Sequence, residues 1–161
     1  MPPIKTVGKV LRKEKLTATV WIIEIEFVND SVFLPGQYVS LKVDESGIRR
    51  SYSVAKFNQG KSFELLIDVS PMGVGSKFVL GLNVGDMVEV LGFLGRFVIL
   101  DESTGDKDRI LFVATGTGIA PFGPMITELL NSEFKGKVSL LWGLRHEEDL
   151  YWQEFFNKLS S

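Results

Sequence analysis

The chain is expected to form an antiparallel β-barrel followed by a partial α/β unit with about two parallel strands. Three observations carry that expectation. Apolar and mixed side chains alternate strictly from Trp21 to Phe27, the period of a strand with one buried face. An extended run, IRRSYSVAKF at 48–57, sits between further strand-like stretches. Late in the chain the apolar run RILFVA (109–114) leads at once into Gly116-Thr117-Gly118 and then into helical spacing, the order of a strand, a glycine turn and a crossover helix. The barrel is expected over residues 1–100 and the α/β unit over 109–161, with the polar, apolar-poor stretch DESTGDKD (101–108) between them.

Composition narrows the chemistry before any motif does. A chain of 161 residues can bury a substantial core, as one domain or two small ones. Its 18 Lys and Arg against 20 Asp and Glu leave a net charge of -2 with no long block of either sign, so no nucleic-acid surface is indicated. The chain has no cysteine, which excludes a disulfide, a Cys-ligated iron-sulfur cluster or a thiol nucleophile within it. A single histidine, His146, argues against a His-based metal site or a Ser-His pair. Any redox chemistry must therefore come from an organic cofactor. No segment approaches the roughly 20 apolar residues needed to span a bilayer, and the N-terminus lacks a signal-peptide core. The expectation is a cytoplasmic protein with no membrane partner.

Taken in order, residues 5–43 are strand-like, with turn signals at Asn29-Asp30-Ser31 and at Pro35-Gly36 before alternation resumes at Tyr38. PGQY (35–38) has a plain structural reading, a turn entering a strand, beside a role at a ligand site. In the 48–57 run, alternation sends Arg50, Tyr52 and Val54 to one face and Ser51, Ser53 and Ala55 to the other. A guanidinium can pair with phosphate, a phenol can stack on a flat heterocycle, and hydroxyl or backbone groups can meet its edge. The stretch thus suits a flat, phosphate-bearing cofactor, although the tetrapeptide alone also suits an ordinary half-buried strand. Asn58 to Lys61 signals a hairpin into a strand at 63–69.

Gly73-Val74-Gly75-Ser76 leads into a short amphipathic run at 77–82, expected to be helical. Glycines before a helix let backbone N–H groups approach a phosphate; Ser76 as a simple N-cap is the competing reading. Residues 82–100 read as two strands around Gly92 to Gly95. In the second unit, RILFVA has the character of a strand buried on both faces. Residues 119–130 have helical spacing with Pro121 in the first turn, KVSLLW (137–142) is a second strand, and Glu147 to Leu159 reads as a helix with a broad aromatic stripe packing on the sheet. The strand-turn-helix context supports a Rossmann-like turn aimed at a ligand, without the full G-x-G-x-x-G spacing.

PGQY, RSYS, GVGS and GTGIAP, in that order and covering nearly the whole chain, resemble the ferredoxin-NADP reductase family. The resemblance implies a Greek-key, flavin-binding barrel and an NAD(P)-binding domain. Carried over by position, it implies that Arg50 pairs with the flavin pyrophosphate, Tyr52 lies against the isoalloxazine or ribityl region, and Ser53 hydrogen-bonds near the reactive nitrogen. Ser51 accompanies them, and Ile67, Asp68 and Val69 line the cofactor through their backbone. Gly73, Val74, Gly75 and Ser76 hold the phosphates. Thr117 lies between flavin and nicotinamide, with Ser53 and Thr117 closest to the chemistry. Gly116, Gly118 and Pro121 shape the dinucleotide approach, and Gly143 and Arg145 match the family's G-x-R.

FAD fits better than FMN, NAD(P)H is the implied substrate, and the implied acceptor is a one-electron carrier, either a protein such as ferredoxin or flavodoxin or a small molecule. The family's G-P-x-G-x-F stretch is GFLGRF here, with Phe93 in place of proline, a change expected to alter loop rigidity. Family nucleotide domains have about five parallel strands, against two here. The chain is accordingly expected to be a fragment of a longer reductase, or a short subunit whose site a partner completes and which need not be catalytic. The uncovered sheet and aromatic stripe suggest self-association through the C-terminal half.

Overall fold

A computed structural model describes residues 4–27, 32–58, 61–99, 109–132 and 134–159. The expected turn at Asn29 to Ser31, the tip of the hairpin at 59–60 and the boundary at 101–108 lie outside the described residues.

Six strands close the barrel: β1 (Ile4–Lys15), β2 (Val20–Glu26), β3 (Tyr38–Lys42), β4 (Arg49–Asn58), β5 (Ser62–Asp68) and β6 (Met87–Leu94), in the order β1-β2-β5-β4-β3-β6 with every pair antiparallel. Strands β3, β4 and β5 follow one another, and β6 returns beside β3, which is the Greek-key arrangement. The alternation read in β2 decides which side chains enter. Ile23 and Ile25 point inward to join Val39, Leu41, Val54, Phe63, Leu65, Val88 and Val90 in a core almost without exposure. Val20 and Ile22 are buried too, but on the outer surface, where they form part of a second core with the C-terminal unit. Helix α1 (Val74–Gly81) caps one end of the barrel, and its Val79, with Leu82 beyond it, enters the first core.

The C-terminal unit has two parallel strands, β7 (Arg109–Thr115) and β8 (Lys137–Gly143), in register from Arg109 with Lys137 to Thr115 with Gly143. A short 3-10 turn at Gly116–Ile119 precedes α2 (Phe122–Asn131), with Pro121 at the N-cap. Helix α2 lies on the barrel: its Gly123 packs so closely that a Cβ there would stand 3.2 Å from the Ala55 carbonyl oxygen. Phe112, Ala114, Ile119, Phe122, Met125 and Ile126 complete the second core against Val20, Ile22, Ala55 and Leu66. The seam between the units is therefore apolar.

Four local expectations are corrected. No strand follows Gly95 through residue 99, because β6 already pairs with β1 on one side and β3 on the other, so a further strand has no ladder to join. Phe93 lies within β6, not in a loop, and its ring packs 5.2, 5.1, 5.5 and 5.9 Å from those of Phe27, Phe33, Phe57 and Phe63. Its role is to fill the barrel end. The parallel sheet is buried on one face only: Phe112 and Ala114 are covered, whereas Leu111, Val113 and Leu141 are 63%, 57% and 61% exposed. Finally, residues 147–159 are two pieces, a 3-10 turn at Glu147–Asp149 and α3 (Gln153–Leu159). Leu150 leaves helical geometry at ψ 50°, and Tyr151 stands edge-on to Trp142 at 5.0 Å.

Candidate cofactor and nucleotide sites

Two neighbouring arginines on β4 have opposite surroundings. Arg49 is consumed by the barrel: its guanidinium pairs with the Glu89 carboxylate and donates to the Ser40 carbonyl and hydroxyl. Arg50 is exposed, with one hydrogen bond of 2.9 Å to the carbonyl of Arg49 and no carboxylate in ion-pair range among the described residues. A guanidinium on a rigid strand without an internal counter-ion is available to an external anion.

What lies beside Arg50 is the first turn of α1. A Cβ at Gly75 would fall 2.6 Å from the Tyr52 hydroxyl and 3.0 Å from Arg50 Cγ, so only glycine lets the helix start approach these side chains. Gly73 is the N-cap, extended at φ -73° and ψ -174°, and no side chain caps the helix. Ser76 is therefore not the cap; it is buried within the first turn. The free N–H groups of that turn, the positive end of the helix and Arg50 lie together, a donor set that could hold an anion. Burial of Tyr52 pushes its phenol above the ordinary tyrosine range, against the pull of the Arg50 charge. It stays neutral at physiological pH.

The strands also open here. The β4–β5 ladder ends at Val54 with Leu65, so residues 50–53 and 66–68 present facing backbone edges that are not paired with each other. Ser51 is exposed and Ser53, opposite Tyr38, half-buried along this opening. Of the expected backbone contacts, Ile67 and Asp68 pair on their far side with Trp21 and Val20, and the Val69 N–H is already donated to the Thr19 carbonyl at 2.9 Å. Asp68 accepts from the Ser70 N–H and hydroxyl, both at 2.8 Å.

A second locus is a cleft of about 720 Å³ at the carboxyl edge of β7 and β8. It gathers Gly116, Thr117, Gly143 and Arg145 with Asp68 from the barrel. Gly116 has φ +50°, a left-handed backbone, and its carbonyl accepts from the Trp142 indole at 2.9 Å, which fixes the turn. A Cβ at Gly118 would meet nothing within 4 Å, so there the glycine leaves open space. Pro121 and Ser53 do not line the cleft.

Asp149 and Tyr151 do line it, and sequence reasoning assigned them to a continuous helix. The Tyr151 hydroxyl is buried without a hydrogen-bond partner, and burial, Asp149 and Asp68 together drive its phenol far above the ordinary range. The acidic triplet running into an aromatic was the available signal. No cluster able to hold a metal occurs among the described residues, and none of their helices is long and apolar enough to cross a membrane.

Residues 8–99 match the oxidoreductase FAD-binding domain family, and residues 112–161 match the oxidoreductase NAD-binding domain family. The toluate 1,2-dioxygenase electron transfer component of Pseudomonas putida is 36% identical over 124 residues, covering 76% of this chain and 36% of that protein. Ferredoxin–NADP reductase B of Sorangium cellulosum is 30% identical over 132 residues, covering 80% and 53%. Among solved structures, the cytochrome P450 reductase GcoB of Amycolatopsis superposes with a TM-score of 0.90 at 29% identity, covering 99% of this chain and 49% of that one. The ferredoxin-NADP+ reductase of Plasmodium falciparum, at 22% identity and a TM-score of 0.81, shares the fold. The chain thus spans between about a third and a half of the curated relatives it matches.

Proposed function

Because the chain belongs to the ferredoxin-NADP reductase family of oxidoreductases, we propose that it holds FAD on its barrel and moves electrons between NAD(P)H and a one-electron acceptor. The observation that carries the reading is the convergence of Arg50, Tyr52 and the uncapped first turn of α1 on Gly75. The donor set suits a pyrophosphate: Arg50 and the N–H groups from Gly73 to Ser76 would neutralise and orient it. Tyr52 would lie against the flavin, and the opening between Ser51, Ser53 and the Ile67–Val69 edge would receive the ring.

Bound there, the flavin would supply the redox chemistry, accepting two electrons as hydride and releasing them singly. The chain's own contribution is placement. Gly116, Gly118 and Thr117 would admit the nicotinamide at the cleft mouth, with Pro121 setting the start of α2 behind them. Arg145 would take the nucleotide phosphates beside Gly143. Apolar packing at the domain seam holds the two loci at a fixed separation. The acceptor would be a protein carrier such as a ferredoxin or flavodoxin, or a small molecule, in the cytoplasm. The domain limits proposed are 1–100 and 109–161.

The bare face of β7 and β8 favours a second reading. In it, these residues bind flavin while further protein, from the same chain or a partner, completes the nucleotide site; two copies could also associate through that face. Fluorescence titration separates the arginines. Arg50→Ala should weaken FAD by about 1.5–3 kcal/mol, a factor of about 10 to 150, with little change in unfolding. Arg49→Ala should do the reverse. Equal FAD affinity in wild type and Arg50→Ala would remove Arg50 from the site.

A further inference from the structure

Helix α1 has no basic residue in its own last turn. Its C-terminal carbonyls are met instead from across the barrel: Lys13 Nζ, on β1, donates to the Leu80 carbonyl at 2.7 Å and to the Leu82 carbonyl at 2.8 Å. The same ammonium stands 5.0 Å from the centre of the Trp21 ring. Lys13 pairs in the ladder with Ile23, a core residue of β2, which fixes its backbone from that side. A cation at the negative end of a helix is favourable, and one that satisfies two of its last carbonyls also fixes where the helix points. The opposite end of this eight-residue helix is the turn at Gly73 to Ser76.

We propose that Lys13 is a positioning residue for the phosphate-binding turn: by tying the C-terminus of α1 to β1 it sets the angle at which the N-terminus of α1 faces Arg50. This inference rests on the FAD reading. Nothing in the local pattern of β1 marks Lys13 apart from Lys9 or Lys15; only the fold brings it to the helix. Lys15, 6.0 Å from the same Trp21 ring but without a bond to α1, is the natural control.

The test compares FAD with riboflavin, which lacks the phosphates, by fluorescence titration of the whole chain. Lys13→Met keeps the aliphatic stem on Trp21 and removes the donors. It should weaken FAD by about three- to tenfold while riboflavin stays within about twofold. Lys13→Arg should restore most of the loss, and Lys15→Met should change neither flavin. If Lys13→Met unfolds too readily to titrate, Lys13→Gln, which retains one donor group, takes its place. Equal weakening of both flavins would mean general loosening and would overturn the positioning role, as would no weakening at all. A wild type that prefers FAD to riboflavin by nothing would overturn the parent reading instead, through the phosphates and not through Lys13.

Discussion

Every barrel strand has two hydrogen-bonded neighbours, whereas β7 and β8 have only each other among the described residues. The barrel core is sealed, with Val10, Ile23, Ile25, Val39, Leu41, Val54, Phe63 and Leu65 at 0% exposure. In the C-terminal unit, one face of the sheet is packed against α2 and the barrel while the other carries Leu111, Val113 and Leu141 in the open. The difference bears on function because each half hosts one locus. The proposed flavin locus lies on the closed barrel, at the place where β4 and β5 part beyond Val54 and Leu65. The cleft lies where the units meet, lined by Thr19 and Asp68 of the barrel and by the carboxyl edge of a sheet covered on one face only. A closed scaffold can hold a ligand in a defined geometry, whereas a half-covered one supplies fewer fixed contacts.

The largest contrast is in packing. Phe63→Ala, in the barrel core and touching Phe27 and Phe93, should cost about 3–5 kcal/mol. Phe156→Ala, half-buried against Trp142 and Trp152, should cost about 1–2 kcal/mol. Urea unfolding of both variants measures the gap; similar costs would erase the distinction between a sealed and a half-covered core.

Next comes the glycine pair. Gly75→Ala forces a methyl group onto Tyr52 and Arg50 and should cost about 1–3 kcal/mol of stability together with flavin affinity. Gly73→Ala meets nothing within 4 Å and has an ordinary φ, so its stability should stay within about 0.5 kcal/mol. Loss of flavin binding in Gly73→Ala but not in Gly75→Ala would reverse the assignment.

These pairs also mark what could be read in advance. Alternation in β2 and β4 exposed the barrel because a strand's two-residue period is written locally, and Gly73 to Ser76 announced a nearby helix, although it begins at Val74 and not at Lys77, so that the turn expected before it is its first turn. Four matters depended on tertiary partners. Alternation and RSYS singled out Arg50 from Arg49, but that Glu89 on β6 and Ser40 on β3 occupy Arg49 was visible only in the fold. Phe93 looked like a loop residue until four rings were found around it. Residues 96–99 had strand composition, but the closed barrel they leave offers no free edge to join. Tyr151 had a helical neighbourhood in sequence, yet its packing on Trp142 takes it into the cleft.

The sheet's two faces offer a smaller effect. Val113→Lys with Leu141→Lys changes only exposed side chains and should leave unfolding nearly unaltered, while abolishing the concentration-dependent association we propose for wild type, with light scattering as the measurement. Wild type that stays monomeric at every concentration would discard the association. Smallest is a pH effect at the barrel seam. Hydrogen bonds from Lys5 and then Arg49 hold the Glu89 carboxyl below its usual range. Its contribution is present above the ordinary glutamate value and lost as pH falls through the depressed folded one. Acid unfolding of Glu89→Gln should therefore begin at a slightly higher pH than wild type and converge with it once the wild-type Glu89 is protonated; identical curves would show that the pair is fully screened.

We propose that the described residues hold FAD firmly and the nicotinamide nucleotide by only a few contacts. Anaerobic stopped-flow mixing of the FAD-loaded protein with NADH or NADPH tests both parts at once. The expected result is one tightly held FAD per chain, bleached at a rate that climbs in proportion to nucleotide concentration without saturating, because the contacts that align the nicotinamide are few. Bleaching that saturates at low nucleotide concentration would show a finished nucleotide site on two strands and would contradict the account.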